Sequence, residues 1–173
     1  MTLVKTFLHT CKKYSQKTAV TDHSGAFTYE DLHQESIRCA SRLLSGVTGR
    51  NIGILLPNGK EFVVAFYGTL MAGKTPVPLN YLLSPAQLLY VIRDAGIDTV
   101  FTNNLFSPML VNQIKNTLLT EEKQLGASCN EGNIKQGDEE EQAALLYTSG
   151  TNANPKGVIL THKNFMSNLD GCI

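Results

Sequence analysis

Residues 52–56 read Ile-Gly-Ile-Leu-Leu, five successive apolar positions bounded by Asn51 and Pro57. The run is too short and too continuously apolar for a surface helix, so it predicts a strand buried on both faces, as in parallel sheets covered by helices. The flanking sequence reads as helix on both sides. Upstream, Thr28 with Asp31 three positions later predicts a capped helix, and Leu32, Ser36, Cys39, Ala40, Leu43 and Leu44 repeat along one face until Gly46 and Gly49 end it. Downstream, Asn58 with Glu61 predicts a capping-box-like start to a helix through Ala72, closed by Gly73. Its Phe62, Val63, Val64, Ala65, Phe66, Leu70 and Met71 leave little polar face, which predicts deep packing.

The alternation continues along the chain. Residues 75–79 are extended, but Pro76 and Pro78 each remove a ladder donor and argue against a fully paired central strand. Ser84, Pro85 and Gln87 supply the N-cap, first-turn proline and N3 glutamine of a helix that Gly96 stops. Residues 99–102 predict another strand, and Ser107-Pro108 a helix reaching about Leu119 with Ile114 and Leu118 inward. Before the first buried strand, Leu3, Val4, Phe7, Leu8, Cys11 and Tyr14 form the stripe of an opening helix, and residues 19–21 and 26–28 read as a hairpin around Asp22 and Gly25. Residues 119–142 are polar and acidic and predict a surface connection, with an edge strand near 123–128. Residues 143–148 and 158–160 predict two further buried strands, and Thr161 caps a helix that is still running at Ile173. Such alternation predicts an α/β fold, a mostly parallel sheet flanked by helices.

Composition narrows the function classes. Hydrophobic residues make up 42% and charged residues 17%, and Lys plus Arg equals Asp plus Glu at 15 each. No net field draws nucleic acid or an anionic membrane surface. The four cysteines, Cys11, Cys39, Cys129 and Cys172, form no C-x-x-C pair, so no zinc site or disulfide framework is expected, and a reducing cytoplasm fits. No apolar run reaches membrane-spanning length. The first helix could alternatively be a targeting peptide, but it lacks arginine, a continuous apolar region and a small-residue cleavage site.

Between the last two predicted strands lies TSGTNANPKG, residues 148–157, with three hydroxyl side chains, two glycines, one lysine and no acid. Small residues expose backbone N–H groups, hydroxyls donate and lysine adds a point charge, which together suit a chain of phosphates. The Walker-type loop is excluded because Pro155, not glycine, precedes Lys156, and Gly157, not serine or threonine, follows it. The dinucleotide fingerprint is absent too, and the loop runs strand to strand, so no helix N-terminus would assist. By composition alone, a polar hairpin turn accounts for the loop equally well.

The order of residues goes further. Residues 147–158 resemble the signature loop of the adenylate-forming (AMP-binding) superfamily of acyl-CoA synthetases, luciferases and peptide-synthetase adenylation domains, usually YTSGTTGxPKGV. Tyr147, Thr148, Ser149, Gly150, Thr151, Pro155, Lys156, Gly157 and Val158 match, while Asn152 and Ala153 stand where threonine and glycine are usual. FTYEDL (27–32), the run 52–80, SPAQLLYVIRDAG (84–96) and LTHKNF (160–165) resemble the same family, so the likeness covers nearly the whole chain. It implies phosphate contacts from Thr148, Ser149, Gly150, Thr151, Lys156 and Gly157, with Lys156 stabilising phosphate charge, and it implies no protein metal ligand here. Asn152 loses a hydroxyl and Ala153 adopts positive φ only at a cost, which would weaken ATP binding.

The resemblance implies two half-reactions. A carboxylic acid attacks the α-phosphate of Mg2+-ATP to give acyl-AMP and pyrophosphate, and a thiol such as CoA then takes the acyl group. The family's adenine, ribose, metal and acid sites and its mobile C-terminal domain would all follow Ile173. Residues 1–173 therefore read as the incomplete N-terminal domain of an acyl-CoA or acyl-carrier synthetase, inactive alone. The alternative is a truncated, non-catalytic relative serving as a structural or interaction module. Apolar surface left uncovered predicts homo-oligomers. Among other residues, His162 could reach the loop but fits a local hydrogen-bonding role better. The acidic run 138–141 fits a solvated linker, and Cys39, with no base beside it, a core position.

Overall fold

The computed structural model of the chain describes residues 1–110, 114–120, 131–148 and 155–171. Its elements are α1 (Leu3–Lys13), β1 (Thr18–Asp22), β2 (Gly25–Thr28), α2 (Tyr29–Gly46), β3 (Asn51–Leu55), α3 (Lys60–Met71), β4 (Thr75–Pro78), α4 (Pro85–Asp94), β5 (Thr99–Thr102), β6 (Asn116–Leu119), β7 (Gln142–Thr148), β8 (Lys156–Thr161) and α5 (His162–Asp170). Four strands form a parallel sheet in the order β4-β3-β5-β6, and β1-β2 and β7-β8 are separate antiparallel pairs.

The buried run behaves as its composition requires. Ile52, Ile54 and Leu55 are fully buried in the sheet interior. Alternate side chains serve different layers: Ile52, Ile54 and Leu56 join Val4, Phe7, Leu43 and Met71 of the α1–α3 layer, and Leu55 joins Val77, Val91, Ile92 and Val100 on the α4 side. Helices on both faces are what a strand without a polar face demands. Gly73 and Gly96 adopt φ of +70° and +60° just past α3 and α4, the left-handed stop that glycine takes without steric cost. Both cysteines among the described residues, Cys11 and Cys39, are free and buried. Burial pushes their thiols up to about 11 and about 12, so neither is a ready nucleophile.

Three local expectations are corrected. The helix expected from Ser107 to about Leu119 is not formed at either described end: a 3-10 turn spans Ser107–Leu110, and β6 lies at Asn116–Leu119, parallel to β5. Asn116 N donates to Asp98 O at 2.9 Å and Asn116 Nδ2 to Thr99 Oγ1 at 3.2 Å, so pairing with the open edge of β5 overrides a short helical pattern. The start of α3 is not capped by Asn58. Gly59 is the N-cap and offers no side chain; instead Asp22 Oδ2, from the end of β1, accepts from Lys60 N at 2.9 Å. Finally, β8 is a strand but not a buried one, with Val158 43% and Ile159 62% exposed. Only β7 pairs with it among the described residues.

Helix α3 buries one face, Ala65, Gly68, Thr69, Leu70 and Met71, while Phe62, Val63, Val64 and Phe66 are half-buried. Gly68 is where α2 crosses closely: a Cβ there would lie 2.5 Å from Cys39 Cβ and Sγ. The expected edge strand at 123–128 lies outside the described residues. The acidic run closes onto α5, with His162 N donating to Glu141 O and Lys163 N to Glu139 O, and Lys163 Nζ pairing with Glu140 at 2.8 Å.

Candidate phosphate-binding site

Strand β7 buries Ala143, Ala144 and Leu145 and emerges toward solvent through Leu146, Tyr147 and Thr148. It lies alongside β4 without a ladder between them among the described residues. The cause is the two prolines. Thr75 N and Leu79 N donate to Arg50 O and Ile54 O, both at 2.9 Å, so odd-numbered positions of β4 face β3. Pro76 and Pro78 occupy the alternate positions, where an N–H would point away from β3 toward the neighbouring β7.

The hairpin register places Tyr147 opposite Gly157 and Thr148 opposite Lys156. Thr148 and Lys156 are thus cross-strand neighbours at the base of the loop, both exposed, and Lys156 has no ion pair among the described residues. Ser149, Gly150 and Thr151 lie outside the described residues, as do Asn152 and Ala153. Gly157 has a packing role: a Cβ on it would sit 3.2 Å from Tyr147 Cζ and 3.3 Å from Leu145 Cδ1. The aromatic ring covers the glycine across the ladder.

An open cleft of about 350 Å³ runs from the C-terminal end of β4 to this base, lined by Pro78, Leu79, Asn80, Val91, Tyr147 and Thr148, with buried Pro155 closing one side. Ligands of open parallel sheets bind outside the carboxyl ends of the strands. The Asn80 carboxamide oxygen is engaged locally, accepting from Leu82 N at 2.9 Å. Tyr147 Oη donates to Asp94 Oδ2 at 2.5 Å, from β7 to the last residue of α4. Burial first, then the bond to Asp94 and its charge, with Tyr90 adding a smaller contribution, push the phenol above the ordinary tyrosine range, so it keeps its proton at neutral pH.

Thr148 and Lys156 offer a hydroxyl and an ammonium side by side at the mouth of a mainly apolar cleft. Such a donor set fits a phosphate oxygen. Among the described residues no group of three or more His, Cys, Asp or Glu is placed to hold a metal. The middle of the loop lies outside the described residues, and the described partner of the His162 ring is at the start of α1. The ring is buried, and Nδ1 accepts from Leu3 N at 3.3 Å, a contact between α5 and α1 that a purely local reading of His162 does not contain. Asp94 was also hidden in the sequence, where its only mark is an acid on the final turn of a helix.

A parallel sheet flanked by helices on both faces, with an antiparallel hairpin beside its strand ends, defines an α/β domain. The chain belongs to the AMP-binding enzyme family, which it matches over residues 7–173. It is 27% identical to the long-chain-fatty-acid–CoA ligase of Bacillus subtilis over 214 residues, covering 99% of this chain and 38% of that one. It is 29% identical to the human mitochondrial malonate–CoA ligase ACSF3, covering 92% of this chain and 30% of that one. Among solved structures, o-succinylbenzoate CoA synthetase from Bacillus subtilis, in complex with the acyl-adenylate intermediate OSB-AMP, superposes with a TM-score of 0.84 at 26% identity, covering 99% of this chain and 46% of that chain. The chain therefore spans less than half the length of these relatives. No helix among the described residues is long and apolar enough to cross a membrane.

Proposed function

We propose that this chain is the amino-terminal, phosphate-holding part of an ATP-dependent, AMP-forming acid–thiol ligase of the acyl-CoA synthetase type. The carrying observation is the cross-strand pair Thr148 and Lys156 at the mouth of the β4–β7 cleft, within a segment that matches the family signature. Thr148 donates a hydroxyl hydrogen bond to phosphate and Lys156 supplies a point charge that offsets the charge developing on pyrophosphate as it leaves. ATP with Mg2+ and then CoA are the expected cofactors of the complete enzyme, and a carboxylic acid its substrate. Bound Mg2+ would neutralise phosphate charge, and its ligands are expected outside the described residues. Cytoplasmic location is part of the same proposal, as is self-association through the exposed apolar strand β8.

Alone, the chain is expected to bind phosphate-bearing ligands weakly and to catalyse no adenylation. Calorimetric titration with pyrophosphate and ATP tests the first part: binding by the wild-type chain that Lys156→Met weakens about tenfold, the scale of one lost charge-assisted contact, supports it. Absence of binding by the wild type overturns it. Acid-dependent ATP–pyrophosphate exchange by the chain alone would overturn the second part. The departures at Asn152 and Ala153 favour a second reading, a non-catalytic relative whose loop no longer binds nucleotide, and the same titration separates the two.

A further inference from the structure

We infer that Asp94 is a positioning residue for the phosphate-holding pair, acting through Tyr147; the inference rests on the function proposed above. Three observations converge on it. The Tyr147 hydroxyl reaches across from β7 to Asp94 Oδ2 at 2.5 Å, between residues 53 apart in the chain. The same hydroxyl end of the Tyr147 ring lies over Gly157, where even a Cβ would stand 3.2 Å from Cζ and 3.3 Å from Oη. And Asp94 occupies the last position of α4, where a carboxylate faces the negative end of the helix dipole and is locally unfavourable.

An acid at that position serves the helix poorly, and its observed partner is the phenol. The ring therefore acts as a strut: its hydroxyl end is held by α4 and packed over the β8 glycine. Thr148 follows Tyr147 in the chain and Lys156 precedes Gly157, so both phosphate donors are one residue from the strut. Fixing Tyr147 fixes where the hydroxyl and the ammonium stand relative to Pro78, Leu79 and Asn80 on the opposite wall of the cleft. Preorganised donors bind an anion without paying again for their ordering.

Positioning and simple electrostatics predict opposite signs, which makes the inference testable. Removing a carboxylate near an anion site should by charge alone tighten anion binding. On the positioning account Asp94→Ala weakens it. Pyrophosphate is titrated calorimetrically into the wild-type chain, Asp94→Ala, Asp94→Asn and Tyr147→Phe, with melting temperatures measured in parallel. The expected result is a loss of about tenfold in affinity for Asp94→Ala and for Tyr147→Phe, as for one strong hydrogen bond. Asp94→Asn, whose carboxamide oxygen still accepts from the phenol, should stay within about threefold of wild type. Unchanged or tighter binding by Asp94→Ala overturns the inference and leaves the proposed function standing, as does Asp94→Asn losing as much as Asp94→Ala. If Asp94→Ala does not fold, Tyr147→Phe, which deletes only the hydroxyl, decides by the same criterion. A wild-type chain that does not bind pyrophosphate overturns both.

Discussion

The backbone N–H of Leu3, the first residue of α1, donates to Nδ1 of His162, the first residue of α5, at 3.3 Å. One of the orphan donors at the start of α1 is thus satisfied by a ring 159 residues away. The imidazole accepts only while Nδ1 carries no proton. Burial lowers the His162 pKa from its usual 6.5, against the opposing pull of Glu141 and Asp138. Because the folded-state value lies below the unfolded one, the unfolded chain binds the extra proton first. This contribution to stability is complete above about pH 6.5 and is lost as pH falls through the folded value. Denaturant midpoints at pH 7 and pH 5 should show a decline for the wild type that is reduced in His162→Asn, which keeps an acceptor and cannot ionise; parallel declines would refute this.

Asp22, not Asn58, should matter to α3. Asp22 accepts from Lys60 N at 2.9 Å, from Ser24 N at 2.8 Å and from Ser24 Oγ at 2.6 Å. These bonds, that from Lys60 foremost, hold its carboxyl down to about 2. Thermal melts should therefore place Asp22→Ala below Asn58→Ala at neutral pH. The folded value is depressed, so the difference is present above the usual 3.8 and disappears as pH falls through about 2. Equal melting temperatures for the two variants at pH 7 would contradict the assignment.

Gly68 sets the separation of α2 and α3. A Cβ would meet Cys39 Sγ at 2.5 Å and Ser36 O at 2.9 Å, and one of these obstacles is backbone. Gly68→Val should lower unfolding free energy by about 1–3 kcal/mol, the usual cost of overpacking, despite valine's better helix propensity. Urea denaturation measures it, and a variant as stable as wild type would show that the helices can part freely.

Strand β8 presents Val158 and Ile159 to solvent, 43% and 62% exposed. An apolar strand with one paired side invites another chain. Sedimentation velocity should find concentration-dependent association that Ile159→Lys shifts toward monomer; a wild-type monomer at every concentration would remove β8 as a self-association surface.

What was legible in the sequence follows the range of the forces involved. The Ser84–Gln87 capping box is local, and it forms as read, with Gln87 N donating to Ser84 Oγ at 3.3 Å and Ser84 N to Gln87 Oε1 at 3.2 Å. The burial of residues 52–55 is equally a property of composition. Misreadings occur where a distant partner decides: Asp22 supplanting Asn58, the edge of β5 turning Asn116–Leu119 into a strand, and the exposure of Ile159, which no element among the described residues covers. The site divides the same way. Thr148, Lys156 and Gly157 are candidates from the order of residues along the loop, whereas their pairing across the hairpin depends on register, and the place of Asp94 on its bond from α4 to Tyr147 of β7. No short window of sequence contains those relationships.

The prolines of β4 also bear on how the chain is assembled. A ribosome completes β4 well before it makes β7, so the flank of β4 that β7 will cover stands open meanwhile. An ordinary strand in that position would offer a row of N–H groups to any passing segment. Pro76 and Pro78 withhold them, since the N–H groups of Thr75 in β4 and of Leu79 just after it are already spent on β3 and the residue before it. The seat that forms one wall of the phosphate cleft is thereby reserved for packing rather than pairing, and a stray strand finds little there to hold.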